Sequence, residues 1–300
     1  MKYSSSFKLF LLTRFKGLSR RKILTYMTRD RNFEQLFDYS SQDLVHLFKL
    51  SPKQASLLFK YLNYPDLVIR EFETYKRLSP ITILSSEYPN SLRKIPDPPL
   101  VLYWQGNKQL LNSLKISVIG TRQPSPSAQQ KINVLLDPLI QLNTTIVSGL
   151  AYGIDIMAHR YALEYHGSTI AILGFGFNHI YPVQHKKFFQ QISKEGLVIS
   201  EYPPETRPQK WHFPERNRII SGLSSATLII EAAERSGTMI TADQALEQGK
   251  EVFVVPDSIF LNQAQGCLKL IQEGATPLVK PEEIVHWVHE NASILLDENA

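Results

Sequence analysis

From residue 115 onward, short runs of aliphatic and β-branched residues recur at intervals that leave room for one helix between each pair. The runs are KISVIG (115–120), TTIVSG (144–149), TIAILG (169–174), GLVIS (196–200), ATLIIEA (226–232) and EVFVVP (251–256). They are continuous rather than alternating, which predicts strands buried on both faces. Stretches such as DIMAHRYALEYHG and TADQALEQGK lie between them and predict the covering helices. Buried strands in alternation with helices specify an α/β fold, a doubly wound and mostly parallel sheet.

The chain ahead of this pattern differs in texture. In SSFKLFLLTRF, RKILTYM, DLVHLFKL and QASLLFKYL, apolar residues recur at helical spacing behind Ser and Asp caps. A small all-helical domain over 1–77 is therefore expected, followed by the α/β domain over 78–300. The second domain opens with two short β-like runs, ITIL and LVLYW, around a rigid proline elbow, KIPDPP (94–99). Charge follows the same division. Residues 1–75 hold 13 Lys and Arg against 7 Asp and Glu, and the remainder holds 20 against 21. A basic module suits a polyanionic partner, although a solvated helical surface gives the same count.

Hydrophobic residues make up 43% and charged residues 20%, as in ordinary globular protein. A single cysteine, Cys267, excludes an internal disulfide and any cysteine-based zinc cluster, and fits a reducing compartment. The apolar run near the N-terminus is interrupted by Lys8 and closed by Arg14, too short for a secretion signal. A cytoplasmic location is expected.

In an open parallel sheet, ligands bind beyond the carboxyl ends of the strands. Here those ends carry Gly120, Thr121 and Arg122; then Ser148 and Gly149; and, after Glu231, Ser236, Gly237 and Thr238. Small residues opening a helix leave backbone N–H groups free to face an anion. Three such stations with an arginine predict a phosphate site, while each alone could be a tight turn. The nucleotide-triphosphate loop is missing, and GFGFNH supplies two of three dinucleotide glycines after the wrong strand. There is no G-x-S-x-G and no H-E-x-x-H. No cofactor and no metal are expected, and Asp155 with His159 reads as a helix-start carboxylate beside a packed histidine.

One stretch adds a different chemistry. KWHFPERNR (210–218) places rings and cations side by side, before the fifth of these strands. Rings that stack bases, beside cations that follow a backbone, suit single-stranded nucleic acid. On that reading Lys210, Phe213 and Arg216 face the ligand, and Asn217 and Arg218 hold the loop. On the other, Trp211 and Phe213 plug the sheet edge while Arg216 and Arg218 pair with Glu215 and Glu231.

Taken together, GTR, SGLAYGIDIMAH, ISEYPPETRPQKWHFPERNRIISGL and ERSGTMITADQALEQGKEVFVVP resemble the DNA-processing protein A (DprA/Smf) family, and YPNSLRKIPDPPLVLYWQG resembles its lead-in segment. The resemblance implies an extended Rossmann-like domain that binds and protects single-stranded DNA and hands it to the recombinase RecA in natural transformation. It implies a binding protein rather than an enzyme, and a homodimer. By the family pattern Arg122 contacts phosphate, Lys210 and Phe213 contact backbone and base, and the Ser148-Gly149 and Ser236-Gly237-Thr238 turns offer N–H donors. Two features depart from that pattern. QPSPSAQQ follows Arg122 in place of the usual Ser and Gly, and FKGLSRRKIL lacks the glycine pair of a helix-hairpin-helix in the SAM-like module. The winged-helix domain of some members is not expected in this chain. The competing enzyme class, a nucleotide phosphoribohydrolase, resembles P-G-G-x-G-T-x-x-E, whereas ERSGTMITAD lacks the glycine pair and has Thr241 in place of the glutamate.

Overall fold

The computed structural model describes residues 3–299. The chain divides into two compact units, Met1–Tyr88 with Asp97–Tyr103, and Pro89–Pro96 with Trp104–Ala300. The first holds α1 (Ser5–Arg14), α2 (Arg20–Met27), α3 (Ser41–Phe48), α4 (Pro52–Leu62), α5 (Pro65–Leu78) and β1 (Ile81–Thr82). The short helix α6 (Asn90–Arg93) belongs to the second, and β2 (Val101–Gly106) runs from the first into the second. The first unit extends past residue 77 because β1 pairs with β2, Ile81 opposite Leu102 and Thr82 opposite Val101.

Local sequence sets the helix starts. Ser40 with Asp43, and Ser51 with Gln54, form reciprocal capping boxes at α3 and α4, so the first backbone N–H groups find partners before any packing occurs. Aromatic packing then closes the unit. Phe7 meets Phe72 of α5 at 4.9 Å, and Tyr26 stacks on Phe33 and Phe48. Buried Lys8 satisfies its ammonium on the carbonyls of Phe33 (2.7 Å) and Glu34 (3.1 Å).

The second unit contains β3 (Lys115–Ile119), α7 (Ala128–Gln141), β4 (Thr145–Ser148), α8 (Ile154–Glu164), β5 (Thr169–Leu173), α9 (Lys186–Glu195) and β6 (Leu197–Ser200). It continues with α10 (His212–Leu223), β7 (Ala226–Ile229), α11 (Gly237–Glu247), β8 (Glu251–Val254), α12 (Gln265–Gln272), β9 (Thr276–Pro277) and α13 (Pro281–Asn299). All six expected strands are present. From β3 to β9 the strands pair in parallel, in the order β6-β5-β4-β3-β7-β8-β9. Ile116, Val118, Ile146, Ala226 and Leu228 pack against α7, α8 and α13. At the centre, Ser117 of β3 donates to Thr227 of β7 at 2.8 Å, so the one polar pair on these two strands is satisfied internally.

The order locates the site. The chain builds outward from β3 through β4 and β5 to β6, then returns to lay β7 on the other side of β3. The connections leaving β3 and β7 therefore diverge, and the cleft between them is where an open parallel sheet binds ligands. Among the described residues no helix is long and apolar enough to cross a membrane.

Candidate nucleic-acid interface

A crevice of about 700 Å³ opens at the carboxyl ends of β3 and β7. Its first wall is the loop after β3, with Gly120, Thr121, Arg122 and Gln123. Thr121 donates its N–H to the Glu231 carbonyl at 2.7 Å, and its own carbonyl accepts the Ile154 N–H at 3.1 Å. This seats the loop between β7 and the start of α8. Gly153 makes the approach possible: its φ is +77°, and a β-carbon there would strike the Thr121 carbonyl and the Arg122 backbone. Arg122 is exposed and makes no hydrogen bond or salt bridge among the described residues.

The second wall is α10. The stretch expected as a loop is the first turns of this helix. Pro214 fits there because a helix's first N–H groups have no intrahelical acceptor. Helical spacing sorts the side chains: Lys210, Phe213, Asn217 and Ile220 line the crevice at intervals of three and four. Phe213 is half-buried against the cluster of Leu173, Phe175 and Phe189, and its ring lies 5.6 Å from that of Tyr181. Trp211, by contrast, is 63% exposed and plugs nothing.

Arg216 occupies the floor, only 3% exposed. Its Nη1 donates to the carbonyls of Gly149 (2.6 Å) and Ile172, and its Nε donates to Asn217 at 3.2 Å. Burial pulls the guanidinium down to about 10 while Asp155 opposes the shift, so it remains charged at neutral pH. Burial pushes the Asp155 carboxyl up, against the pull of Arg216 and of the N–H groups of Ala151 and Gly149. A β-carbon on Gly149 would lie 2.5 Å from Arg216 Nη1, which is why this position is glycine.

The third wall is the N-terminus of α11, with Arg235, Ser236, Gly237 and Thr238. No side chain caps this helix. The Ser236 hydroxyl is buried and has no partner among the described residues, and a β-carbon on Gly237 would meet nothing within 4 Å. An uncapped helix start presents unpaired N–H groups and the positive end of the helix dipole, the arrangement that receives an anion.

The model for DNA recombination-mediator protein A matches residues 79–289. The chain belongs to this family. It is 45% identical over 230 residues to the DNA processing protein DprA of Bacillus subtilis, covering 76% of this chain and 77% of that one. It is 36% identical over 270 residues to DprA of Streptococcus pneumoniae, covering 90% and 93%. The X-ray structure of the Streptococcus pneumoniae protein superposes with a TM-score of 0.85 at 33% identity, over 95% of this chain and 98% of that chain. A structure of DNA processing protein A from Helicobacter pylori, described for its single-stranded DNA binding mode, aligns with a TM-score of 0.63 at 33% identity, over 68% and 93%.

Within this recombination-mediator fold, ten of the expected site residues surround one crevice: Gly120, Thr121, Arg122, Lys210, Phe213, Arg216, Asn217, Ser236, Gly237 and Thr238. Ser148 and Gly149 stand behind its wall. The Ser148 hydroxyl donates to the Val118 carbonyl at 2.7 Å, and the Gly149 N–H is spent on Asp155 at 3.1 Å. The expected ion pairs also resolve differently: Arg218 pairs with Glu201 at 2.5 Å, and Glu215 accepts the Tyr202 hydroxyl at 2.7 Å. His159 is buried with Nδ1 2.7 Å from the Thr169 hydroxyl, while Asp155 turns to backbone N–H groups. Sequence reasoning missed Arg235 and Tyr181, which also line the crevice. Both left a signal: Arg235 immediately precedes the Ser-Gly-Thr station, and Tyr181 repeats the pairing of ring and proline in FNHIYPV.

Proposed function

We propose that this crevice binds single-stranded DNA with little sequence preference, and that the protein acts by binding rather than by catalysis. One observation carries the reading. Three exposed cations (Arg122, Lys210 and Arg235), an uncapped helix start and a pair of neighbouring rings converge on one cleft. Cations and N–H groups suit phosphates, and rings tolerate any base because every base has a π face. No base-edge reader is needed. The structure of a relative in its single-stranded DNA binding mode supports the same ligand. In the cell, the protein protects incoming single strands and loads RecA onto them in natural transformation, working in the cytoplasm as a homodimer.

Fluorescence titration with single- and double-stranded oligonucleotides at several salt concentrations tests the reading. Single strands should bind well above duplex, with affinity falling as salt rises. Equal affinity for the two forms would overturn it.

A further inference from the structure

The loop that carries Arg122 is tied at both ends to one residue. Glu231 lies two positions beyond β7, and its side chain is 1% exposed. Its backbone carbonyl accepts the Thr121 N–H at 2.7 Å, immediately before Arg122. Its carboxylate accepts the Ser125 N–H at 2.8 Å and the Ser125 hydroxyl, three residues after Arg122. Lys131 of α7 donates to the same carboxylate at 2.7 Å and bridges it to Asp257. Burial alone would pull the Lys131 ammonium down, but the Asp257 and Glu231 carboxylates reverse this and hold it above its ordinary value.

Such a network is costly to bury and specific in what it holds. A carboxylate removed from water is retained only where hydrogen bonds and a counter-charge satisfy it, and here both are present. What it holds is the segment 121–125, whose middle carries the exposed guanidinium on the first wall. The Arg122 side chain makes no hydrogen bond or salt bridge of its own among the described residues, so only its backbone anchors locate it. The prolines at 124 and 126 limit the loop's freedom, and the carboxylate fixes where that limited loop is placed.

We infer that Glu231 is a positioning residue for phosphate recognition: it clamps the loop after β3 and sets where Arg122 meets the DNA backbone. This rests on the single-stranded DNA reading of the crevice. A purely structural buried carboxylate makes a different prediction, because its loss would lower stability without regard to Arg122.

A double-mutant cycle separates the two. Wild type, Glu231→Gln, Arg122→Ala and the double variant are titrated with a labelled oligothymidylate across salt concentrations, and each is melted. Glu231→Gln should weaken binding several-fold and reduce the slope of log K against log salt by roughly 0.7, the loss of one single-strand phosphate contact. The double variant should bind no more weakly than Arg122→Ala alone. Losses that multiply in the double variant, or an unchanged slope in Glu231→Gln, would overturn the clamp while leaving the crevice reading intact. Failure of the wild type to prefer single strands would overturn both. Should Glu231→Gln fail to fold, Ser125→Ala removes one tie of the same loop and takes its place in the cycle, with the same non-additivity expected.

Discussion

At the scale of single residues, the crevice combines side chains with separable roles. Arg122 is exposed on its wall, whereas Phe213 is half core and half surface. Arg122→Ala should weaken binding to all sequences and flatten the salt dependence by roughly 0.7 in slope, since one phosphate contact is lost. Phe213→Ala should cost roughly 1–3 kcal/mol of affinity while leaving the slope unchanged, since a stacked base and no phosphate is lost. Its folding stability should also fall, by less than the roughly 3–5 kcal/mol that removing a fully buried phenylalanine costs. Titration and melting of both variants check the contrast. A flattened slope in Phe213→Ala would assign the ring to holding a cation rather than a base.

At the scale of elements, the site depends on three helix starts meeting one turning loop. One of these starts, that of α8, is fixed by its own backbone geometry; that of α11 is open. Gly153 opens α8 at φ +77° and ψ −126°, a conformation open essentially to glycine alone. Gly153→Ala should therefore destabilise the protein by at least 1–3 kcal/mol, roughly the cost of such strain, and by more through collision with the Thr121 carbonyl. Gly237→Ala, at the start of α11, adds a methyl group into open space and should leave the melting temperature nearly unchanged. Thermal melting of this pair tests whether the glycines differ as the backbone says they do. Equal losses would show that Gly153 is not held by the loop it abuts.

At the scale of the molecule, a buried histidine gives stability a dependence on pH. Burial holds His159 at about 3 in the folded protein, against 6.5 for the exposed group, with the charges of Arg216 and His185 acting in the same direction. Below pH 6.5 the unfolded chain takes up a proton that the folded protein refuses, so the unfolded state binds more protons and stability falls as pH falls toward 3. The slope from this one group approaches about 1.4 kcal/mol per pH unit once pH is well below 6.5. His212, also lowered by burial, adds in the same direction. Melting temperatures between pH 7.5 and 4.5 should fall, and His159→Asn should fall less steeply over the same range. Parallel curves would mean that the histidine titrates alike in both states.

The strands were legible because their signal is local: a continuous run of residues such as Ile116, Ser117, Val118 and Ile119 needs no knowledge of its neighbours to be read as buried strand. β9, two residues ending in a proline, leaves no such run. The small and hydroxylic residues at the strand ends were legible for the same reason, as turn and cap chemistry. Strand order was not, because the return of β7 to the side of β3 depends on contacts between segments a hundred residues apart, Ser117 with Thr227 among them. That return chose which strand-end stations share a crevice, leaving Ser148 and Gly149 behind its wall and bringing Arg235 and Tyr181 onto it. Packing also distinguished two cations of one motif: Lys210 is exposed in the turn ahead of α10, and Arg216 is buried on strand-end carbonyls, because α10 turns that side to the sheet. Residue type and spacing determined the elements and the chemistry available to them; long-range packing alone decided which of those groups meet.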